Sequence, residues 1–223
     1  MYLPAHIGVI ALALILVAPV PTHAATVYDN DRSYFSREEY RSSSSRLSSS
    51  LRNKIKKLDD DAVENLPIPI ALGVALRNLS KNFGDDRDGG ARSHEGLDIM
   101  APRGAYIASP TEAVVTRTGK GSSAGTYVYT MGPGGETFAY MHLDGIADGI
   151  KSGSELKAGD LIGYVGDTGN AKGGATHLHF EIREGRKATD PFPRLTREFT
   201  SAELIRTLTD VVEELQADLK RKD

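Results

Sequence analysis

The chain has 223 residues, a formal net charge of −3 and neither cysteine nor tryptophan. This length fits one domain with appendages, or at most two small domains. The charge balance has no basic excess, so nucleic acid is not an expected partner. The lack of cysteine excludes a disulfide framework, a thiolate nucleophile and a cysteine-based zinc site. A metal site in this chain would have to use His, Asp or Glu.

The first 28 residues contain no Asp, Glu, Lys or Arg. Within them, residues 7–20 form a nearly continuous apolar run followed by small residues, which is typical of a signal peptide. The run is short for a membrane-spanning helix, which needs roughly 20 apolar residues. No Lys or Arg precedes it. The sequence predicts a signal peptide over residues 1–25, with an uncleaved membrane anchor as the alternative and an internal structural helix as the less favoured one. Both export interpretations predict a secreted, periplasmic or envelope-associated protein.

Residues 26–65 are polar and predict a helical stalk or linker. Ser36 and Glu39 have the spacing of a capping box. Apolar residues then recur at helical spacing at Leu47, Leu51, Ile55 and Leu58. Frequent serines weaken this helix, because serine side chains compete for the backbone hydrogen bonds. A specific partner-binding helix is the alternative.

Residues 194–223 predict a C-terminal amphipathic helix that begins at a second capping box, formed by Thr200 and Glu203. Its apolar stripe consists of Leu204, Leu208, Val211, Leu215 and Leu219. We expect the helix to pack on the folded domain or on the N-terminal helix. Self-association as a coiled coil is the less favoured alternative, and the oligomeric state stays open.

Residues 66–193 form the glycine-rich body of the chain. Of the 23 glycines, 20 lie between Gly84 and Gly174, which indicates many tight turns. Short β-prone runs alternate with these turns, and Gly-Pro-Gly-Gly at 132–135 predicts a hairpin loop. No room is left for intervening helices, so the body predicts a mainly β domain with an antiparallel sheet and flanking helices. The β-prone runs are 105–108, 113–118, 127–131, 137–142, 161–165 and 177–183.

Four histidines lie in this body, and two of them form the motif His177-Leu178-His179. Because side chains alternate along a strand, His177 and His179 are expected on one face and Leu178 on the other, towards the core. Two imidazoles on one face can reach a single small site. Taken alone, the motif fits a pair of exposed surface histidines better.

His94 and Asp98 form a second motif, in which the two side chains fall on one face of an extended segment. Carboxylate oxygen and imidazole nitrogen are suitable ligands for zinc. This spacing is common by chance, so the motif acquires meaning only together with the other histidines.

Taken together, the motifs resemble the lysostaphin-type, or LytM-type, zinc metallopeptidases that cut bacterial cell-wall peptides. The resemblance covers about residues 84–192, and its four blocks follow the family's order at similar intervals. The blocks are SHEGLDIMAP at 93–102, AYMHL at 139–143, GDLIGYVGDTG at 159–169 and HLHFE at 177–181. The fold that this resemblance implies is an open, flattened barrel-like antiparallel sheet with a groove.

The resemblance also implies the roles of the site residues. It assigns one zinc ion to His94, Asp98 and His179, which leaves the open position that a catalytic zinc site requires. It assigns His142 and His177 to catalysis beside that position, and leaves open which of them is the general base. Glu181 is expected on the same face as His179, where it either supports the ligand by a hydrogen bond or is solvated.

The implied function is hydrolysis of peptide bonds in peptidoglycan, either in the stem peptide or in the cross-link. The alternative is a non-catalytic LytM-like domain that binds or activates another cell-wall hydrolase. Such domains have lost zinc ligands, whereas this sequence contains the complete set. A structural zinc protein is disfavoured, because a closed structural site uses four protein ligands.

Overall fold

The computed structural model describes residues 48–222. The predicted signal peptide and the capping box at Ser36 and Glu39 lie outside these residues. The helices are α1, Ser49–Ile55, and α2, Ser201–Lys222. The strands are β1 Leu66–Pro67, β2 Asp86–Arg87, β3 Arg92–Ser93, β4 Leu97–Met100, β5 Tyr106–Ala108, β6 Ala113–Gly121, β7 Gly125–Met131, β8 Thr137–Ile146, β9 Glu155–Leu156, β10 Leu161–Val165, β11 His177–Glu184, β12 Lys187–Thr189 and β13 Leu195–Arg197.

One antiparallel sheet of nine strands dominates the fold. Its main path runs β12-β11-β8-β7-β6-β9, β4 pairs with β11, and β10 pairs with both β8 and β5. The sheet does not close on itself. The prediction of a mainly β fold with an open antiparallel sheet and flanking helices is therefore confirmed.

The predicted strand runs are all present, and the turn at 133–135 joins β7 to β8 as expected. Four strands are longer than predicted, and the largest extensions are those of β6, which continues to Gly121, and β8, which continues to Ile146. Gly119 continues the ladder opposite Tyr127. The extension of β6 brings Gly121 to the groove described below.

The core lies under one face of β11. Leu178, Phe180 and Ile182 are completely buried on this face, as the alternation of the strand predicted. The rings of Phe180 and Phe138 stack with their centroids 6.0 Å apart, which joins β11 to β8. The opposite face of β11 is therefore left for His177, His179 and Glu181.

Helix α1 lies within the segment predicted as a stalk. Ser48 is its N-cap, and the Ser48 side chain accepts a hydrogen bond from the Leu51 amide at 3.2 Å. Leu51 and Ile55 are buried against Val114 and Met131 of the sheet. This part of the segment packs on the body, while the domain boundary at residue 65 stays a prediction.

Helix α2 packs on the body, and its predicted capping box is confirmed. The Thr200 amide donates to the Glu203 carboxylate at 2.7 Å, and the Glu203 amide donates to the Thr200 hydroxyl at 3.3 Å. Val211 is buried against Ala147 and Leu161. No helix within residues 48–222 is long and apolar enough to cross a membrane.

The buried face of α2 differs from the predicted apolar stripe. Within the stripe, Leu208, Leu215 and Leu219 are 43%, 41% and 65% exposed. Polar contacts orient the helix instead, because the Thr207 hydroxyl donates to the Gly159 carbonyl at 2.6 Å and Glu214 accepts a hydrogen bond from Tyr164. Of the predicted stripe, Leu204 and Val211 do pack on the body, so the stripe describes the docked face only in part. Hydrophobicity alone does not reveal the polar contacts.

Substitution of Gly159 by alanine tests the docking of α2. Gly159 and Gly149 both have a positive φ, 90° and 79°, so alanine brings similar backbone strain at either position. Only at Gly159 does a Cβ collide with the helix, at 2.3 Å from the Glu203 carbonyl oxygen. We expect Gly159→Ala to lower the free energy of unfolding by about 1–3 kcal/mol more than Gly149→Ala, as measured by urea denaturation. Equal losses in the two variants would contradict this docking.

Candidate metal centre

The pairing of β4 with β11 brings two of the predicted ligands, Asp98 and His179, together. His179 lies directly opposite Asp98 in the register of these strands. His94 precedes β4 and is separated from it by Glu95 and Gly96. A Cβ on Gly96 would lie 2.6 Å from the Nε2 atom of His179, so this close approach requires glycine.

The three predicted ligands converge on one point. Their donor atoms all lie within 4.8 Å of one another. His94 Nε2 is 3.0 Å from both Asp98 Oδ1 and His179 Nδ1, and His179 Nδ1 is 2.8 Å from Asp98 Oδ1. All three side chains are largely removed from solvent. The ligand assignment itself stays a prediction, but the required convergence is present.

The hydrogen-bond network identifies which ring atoms carry lone pairs. His94 Nδ1 lies 2.5 Å from the Asn82 carbonyl oxygen, and His179 Nε2 lies 3.1 Å from Glu181 Oε1. These oxygens only accept, so both ring nitrogens donate, and His94 Nε2 and His179 Nδ1 are left as acceptors. Two imidazole lone pairs and a carboxylate oxygen then face one another, an arrangement that a divalent zinc ion satisfies.

Protons compete with a metal ion for these donors. Burial lowers the pKa of His179, but its hydrogen bonds with Asp98 and Glu181 outweigh burial and raise the pKa to about 9. Burial alone would raise the pKa of Asp98, but hydrogen bonds with His179 and His94 hold it well below its usual range. Metal binding at His179 therefore competes with protonation and depends on pH.

Two residues that the sequence did not indicate hold this centre in place. The Asn82 side chain accepts a hydrogen bond from the Asp98 amide at 3.0 Å and donates to the Asp98 carbonyl at 3.2 Å. Arg87 donates to Asp98 Oδ2 at 2.7 Å, which leaves Oδ1 directed to the histidines. Neither residue has a spacing to Asp98 that signals contact, because the loop that returns them to β4 is irregular.

Glu181 accepts a hydrogen bond from the second ring nitrogen of His179. It is 3% exposed, so the structure has the hydrogen-bonded arrangement and not the solvated one. Its second oxygen accepts a hydrogen bond from Arg183 at 2.9 Å. Arg183 also donates to Glu95 at 3.2 Å. A metal-bound histidine usually donates its other N–H to such a carboxylate, which fixes its orientation.

The two predicted catalytic histidines stand beside the three donors. The His142 ring centroid is 5.0 Å from that of His177 and 5.7 Å from that of His179. His142 Nδ1 donates to the Thr168 carbonyl and His177 Nδ1 to the Ala175 carbonyl, both at 2.9 Å. The Nε2 atom of each ring is left as an acceptor, and that of His177 is 3.7 Å from Asp98 Oδ1.

His142 has an unusually low pKa and an unusual backbone conformation. Burial, together with the neighbouring His179 and His177, lowers the pKa of His142 to about 4. The ring is therefore neutral at neutral pH and able to accept a proton. Its backbone φ of 64° is the only positive value among the non-glycine residues that the structure describes. Such backbone strain is typical of functional sites.

All five predicted site residues line one groove. An open antiparallel sheet that carries such a donor set defines a metal-binding β domain. Residues 92–191, which include all five, match the family model of peptidase family M23. This match to peptidase family M23 agrees with the resemblance seen in the sequence.

Two curated proteins are similar in sequence to part of this chain. The L-Ala–D-Glu endopeptidase of Bacillus subtilis is 32% identical over 139 residues, which cover 58% of this chain and 42% of that protein. The peptidoglycan DD-endopeptidase ShyC of Vibrio cholerae is 33% identical over 111 residues, 48% of this chain and 25% of that protein. The chain thus spans less than half the length of either relative.

Two solved structures are similar to part of this chain. The catalytic domain of lysostaphin from Staphylococcus simulans is 27% identical with a TM-score of 0.47, over 54% of this chain and 94% of that one. LytU is 32% identical with a TM-score of 0.46, over 51% of this chain and 81% of that one.

The support that Glu181 gives to His179 is testable by Glu181→Gln. We expect the affinity for zinc to fall by about 10- to 100-fold, because the amide loses the charge that bonds both His179 and Arg183. Competition with a chromophoric chelator measures this affinity. Glu184→Gln, which removes an exposed carboxylate from the same strand, is the matched control. If the two variants bind zinc equally well, Glu181 has no role in holding the ligand.

Proposed function

We propose that the chain is a zinc metalloendopeptidase that hydrolyses peptide bonds of bacterial peptidoglycan, in the stem peptide or the cross-link. The observation that carries this proposal is the complete set of three donors beside two further histidines in one groove. The relatives named as peptidoglycan endopeptidases support the choice of substrate. Zinc is the proposed ion because the donors are nitrogen and carboxylate oxygen.

The proposed ligands are His94, Asp98 and His179. When bound there, zinc supplies a water of lowered pKa and polarises the carbonyl group of the scissile peptide bond. Asp98 contributes a negative charge, and its second oxygen is occupied by Arg87. Glu181 and Asn82 hold the two imidazoles in orientation through their second ring nitrogens.

His142 and His177 carry out the proton transfer in this proposal. Each ring is anchored through Nδ1 to a carbonyl oxygen, so Nε2 is the atom that reacts. One ring takes the proton of the attacking water and returns it to the leaving amine. After protonation, a ring also donates a hydrogen bond to the oxygen that develops negative charge. The low pKa of His142 makes its imidazolium a strong acid towards the amine.

The complete donor set favours an enzyme over a non-catalytic module. A domain that only binds or activates another hydrolase has no need for three converging ligands. The catalytic proposal accounts for all five residues at once.

The proposed location is the cell envelope, by export or by a membrane tether. It is supported by the apolar run at residues 7–20 and by the cell-wall substrates in the names of the relatives. Peptidoglycan lies outside the cytoplasmic membrane, so a peptidoglycan hydrolase must cross it.

Single variants separate the metal ligands from the catalytic groups. We expect His179→Ala to lose zinc and activity together, since it removes one of three ligands. His142→Ala and His177→Ala are expected to keep zinc but to lose activity by roughly 100- to 10,000-fold. Metal analysis of each purified protein, beside digestion of purified peptidoglycan with the released fragments identified by mass, provides both readouts.

Two outcomes would contradict the proposal. Loss of zinc in His177→Ala with retention in His179→Ala would mean that the two roles are exchanged. A zinc-loaded, folded protein that releases no peptidoglycan fragments would exclude the enzymatic function and favour the binding module.

A further inference from the structure

We infer that Thr168 is a positioning residue for His142, whose ring it holds in the orientation and tautomer that proton transfer requires. This inference rests on the proposed function, because it assumes that His142 takes part in proton transfer. It also gives a role to the motif block GDLIGYVGDTG at 159–169, which contributes neither a metal ligand nor a catalytic histidine.

His142 lies at an irregular point of the sheet. Strands β7 and β8 pair at Thr126 with Leu143. The next pair is Val128 with Tyr140, so β8 has one more residue than β7 between the two pairs. His142 is one of the residues in this bulge, and its φ is 64°. A bulge re-aims a side chain and disrupts the regular ladder, so other contacts are needed to hold the ring.

The Thr168 hydroxyl joins the two strands beside this bulge. It accepts a hydrogen bond from the Thr126 amide and donates one to the Leu143 carbonyl, both at 2.8 Å. A hydroxyl can do both at once, because it carries a donor hydrogen and two lone pairs. Leu143 directly follows His142 in the chain. The hydroxyl therefore fixes Thr168 relative to both strands at the place where His142 projects.

The backbone of Thr168 contacts His142 directly. The Thr168 carbonyl accepts the hydrogen bond from His142 Nδ1 at 2.9 Å, and the Thr168 amide donates to the His142 carbonyl at 3.4 Å. The first bond keeps the proton on Nδ1 and leaves Nε2 as the acceptor. Because the hydroxyl fixes the residue whose carbonyl binds the ring, its loss would release the ring from this orientation.

Two glycines of the same block allow Thr168 to come this close to the strands. A Cβ on Gly166 would lie 2.4 Å from the Asp144 amide nitrogen, and a Cβ on Gly169 would lie 2.3 Å from the Gly125 amide nitrogen. Backbone atoms cannot approach a Cβ to these distances, so both positions require glycine. The block is therefore built to place Thr168 against β7 and β8.

Thr168→Val tests the inference, because it removes the hydroxyl and keeps the shape of the side chain. The backbone of Thr168 is extended, with φ −72° and ψ 165°, which suits a β-branched residue. On a cross-linked stem-peptide dimer prepared from peptidoglycan, we expect kcat of the zinc-loaded variant to fall by about 10- to 100-fold, since a misplaced catalytic group loses efficiency. KM and zinc content are expected to stay unchanged, because Thr168 is not one of the described residues that line the groove.

Two further variants show whether the hydroxyl is responsible. Thr168→Ser keeps the hydroxyl and is expected to restore most of the activity. Thr189→Val is the matched control, because the Thr189 hydroxyl donates to the Ile182 carbonyl at 3.2 Å at the edge of the same sheet. We expect Thr189→Val to leave kcat unchanged. An unchanged kcat in Thr168→Val, an equal loss in Thr168→Ser or an equal loss in Thr189→Val would each overturn the inference.

The tautomer of His142 separates this inference from the proposed function. Long-range proton–nitrogen NMR spectra show which ring nitrogen carries the proton, and they require no substrate. We expect the Nδ1–H tautomer in the unmutated protein and in Thr168→Ser, and a mixture of tautomers in Thr168→Val.

The combined outcomes are distinguishable. If the protein cleaves no peptide but shows this change of tautomer, the proposed function fails and the hold of Thr168 on His142 stands. If the protein cleaves the peptide and Thr168→Val changes neither kcat nor the tautomer, the inference fails and the proposed function stands. An Nε2–H tautomer of His142 in the unmutated protein would overturn the inference even if Thr168→Val does not fold.

Discussion

The pairing of β4 with β11 is the constraint on which the site depends. It sets His179 directly opposite Asp98. Side chains that are directly opposite on two paired strands are close enough to interact. A slip of one residue would turn His179 into the core and Leu178 towards the groove, since the side chains of a strand alternate. The complete burial of Leu178, Phe180 and Ile182 prevents that slip. Hydrophobic burial on one face of the strand thus maintains the metal donors on the other.

Hydrogen bonds orient the side chains that the strand register brings together. The Asn82 carbonyl accepts a hydrogen bond from His94 Nδ1, and Glu181 accepts one from His179 Nε2. Arg87 donates to the second carboxylate oxygen of Asp98. Each donor is thereby left with one lone pair directed at the same point. The same principle anchors His142 and His177 through Nδ1, so that five side chains with different positions in the chain present their reactive atoms in one groove.

Much of this arrangement could be predicted from the sequence, because it depends on strand periodicity. Alternation predicted that His177 and His179 share a face and that Leu178 is buried, while the order of the four motif blocks indicated the family. The supporting contacts of Asn82 and Arg87 could not be predicted, since they depend on where an irregular loop returns in space. The prediction of which face of α2 docks was only partly correct, for a related reason. Thr207 and Glu214 orient that helix through hydrogen bonds that no hydrophobic pattern records.

Anomalous diffraction from a crystal of the zinc-loaded protein tests the central claim most directly. The account predicts one zinc peak at about 2.0–2.2 Å from His94 Nε2, Asp98 Oδ1 and His179 Nδ1, with no protein atom at the fourth position. It also predicts that His142 and His177 lie beside the ion without binding it. A peak in which either of these histidines replaces one of the three donors would contradict the account, as would a fourth protein ligand that closes the site.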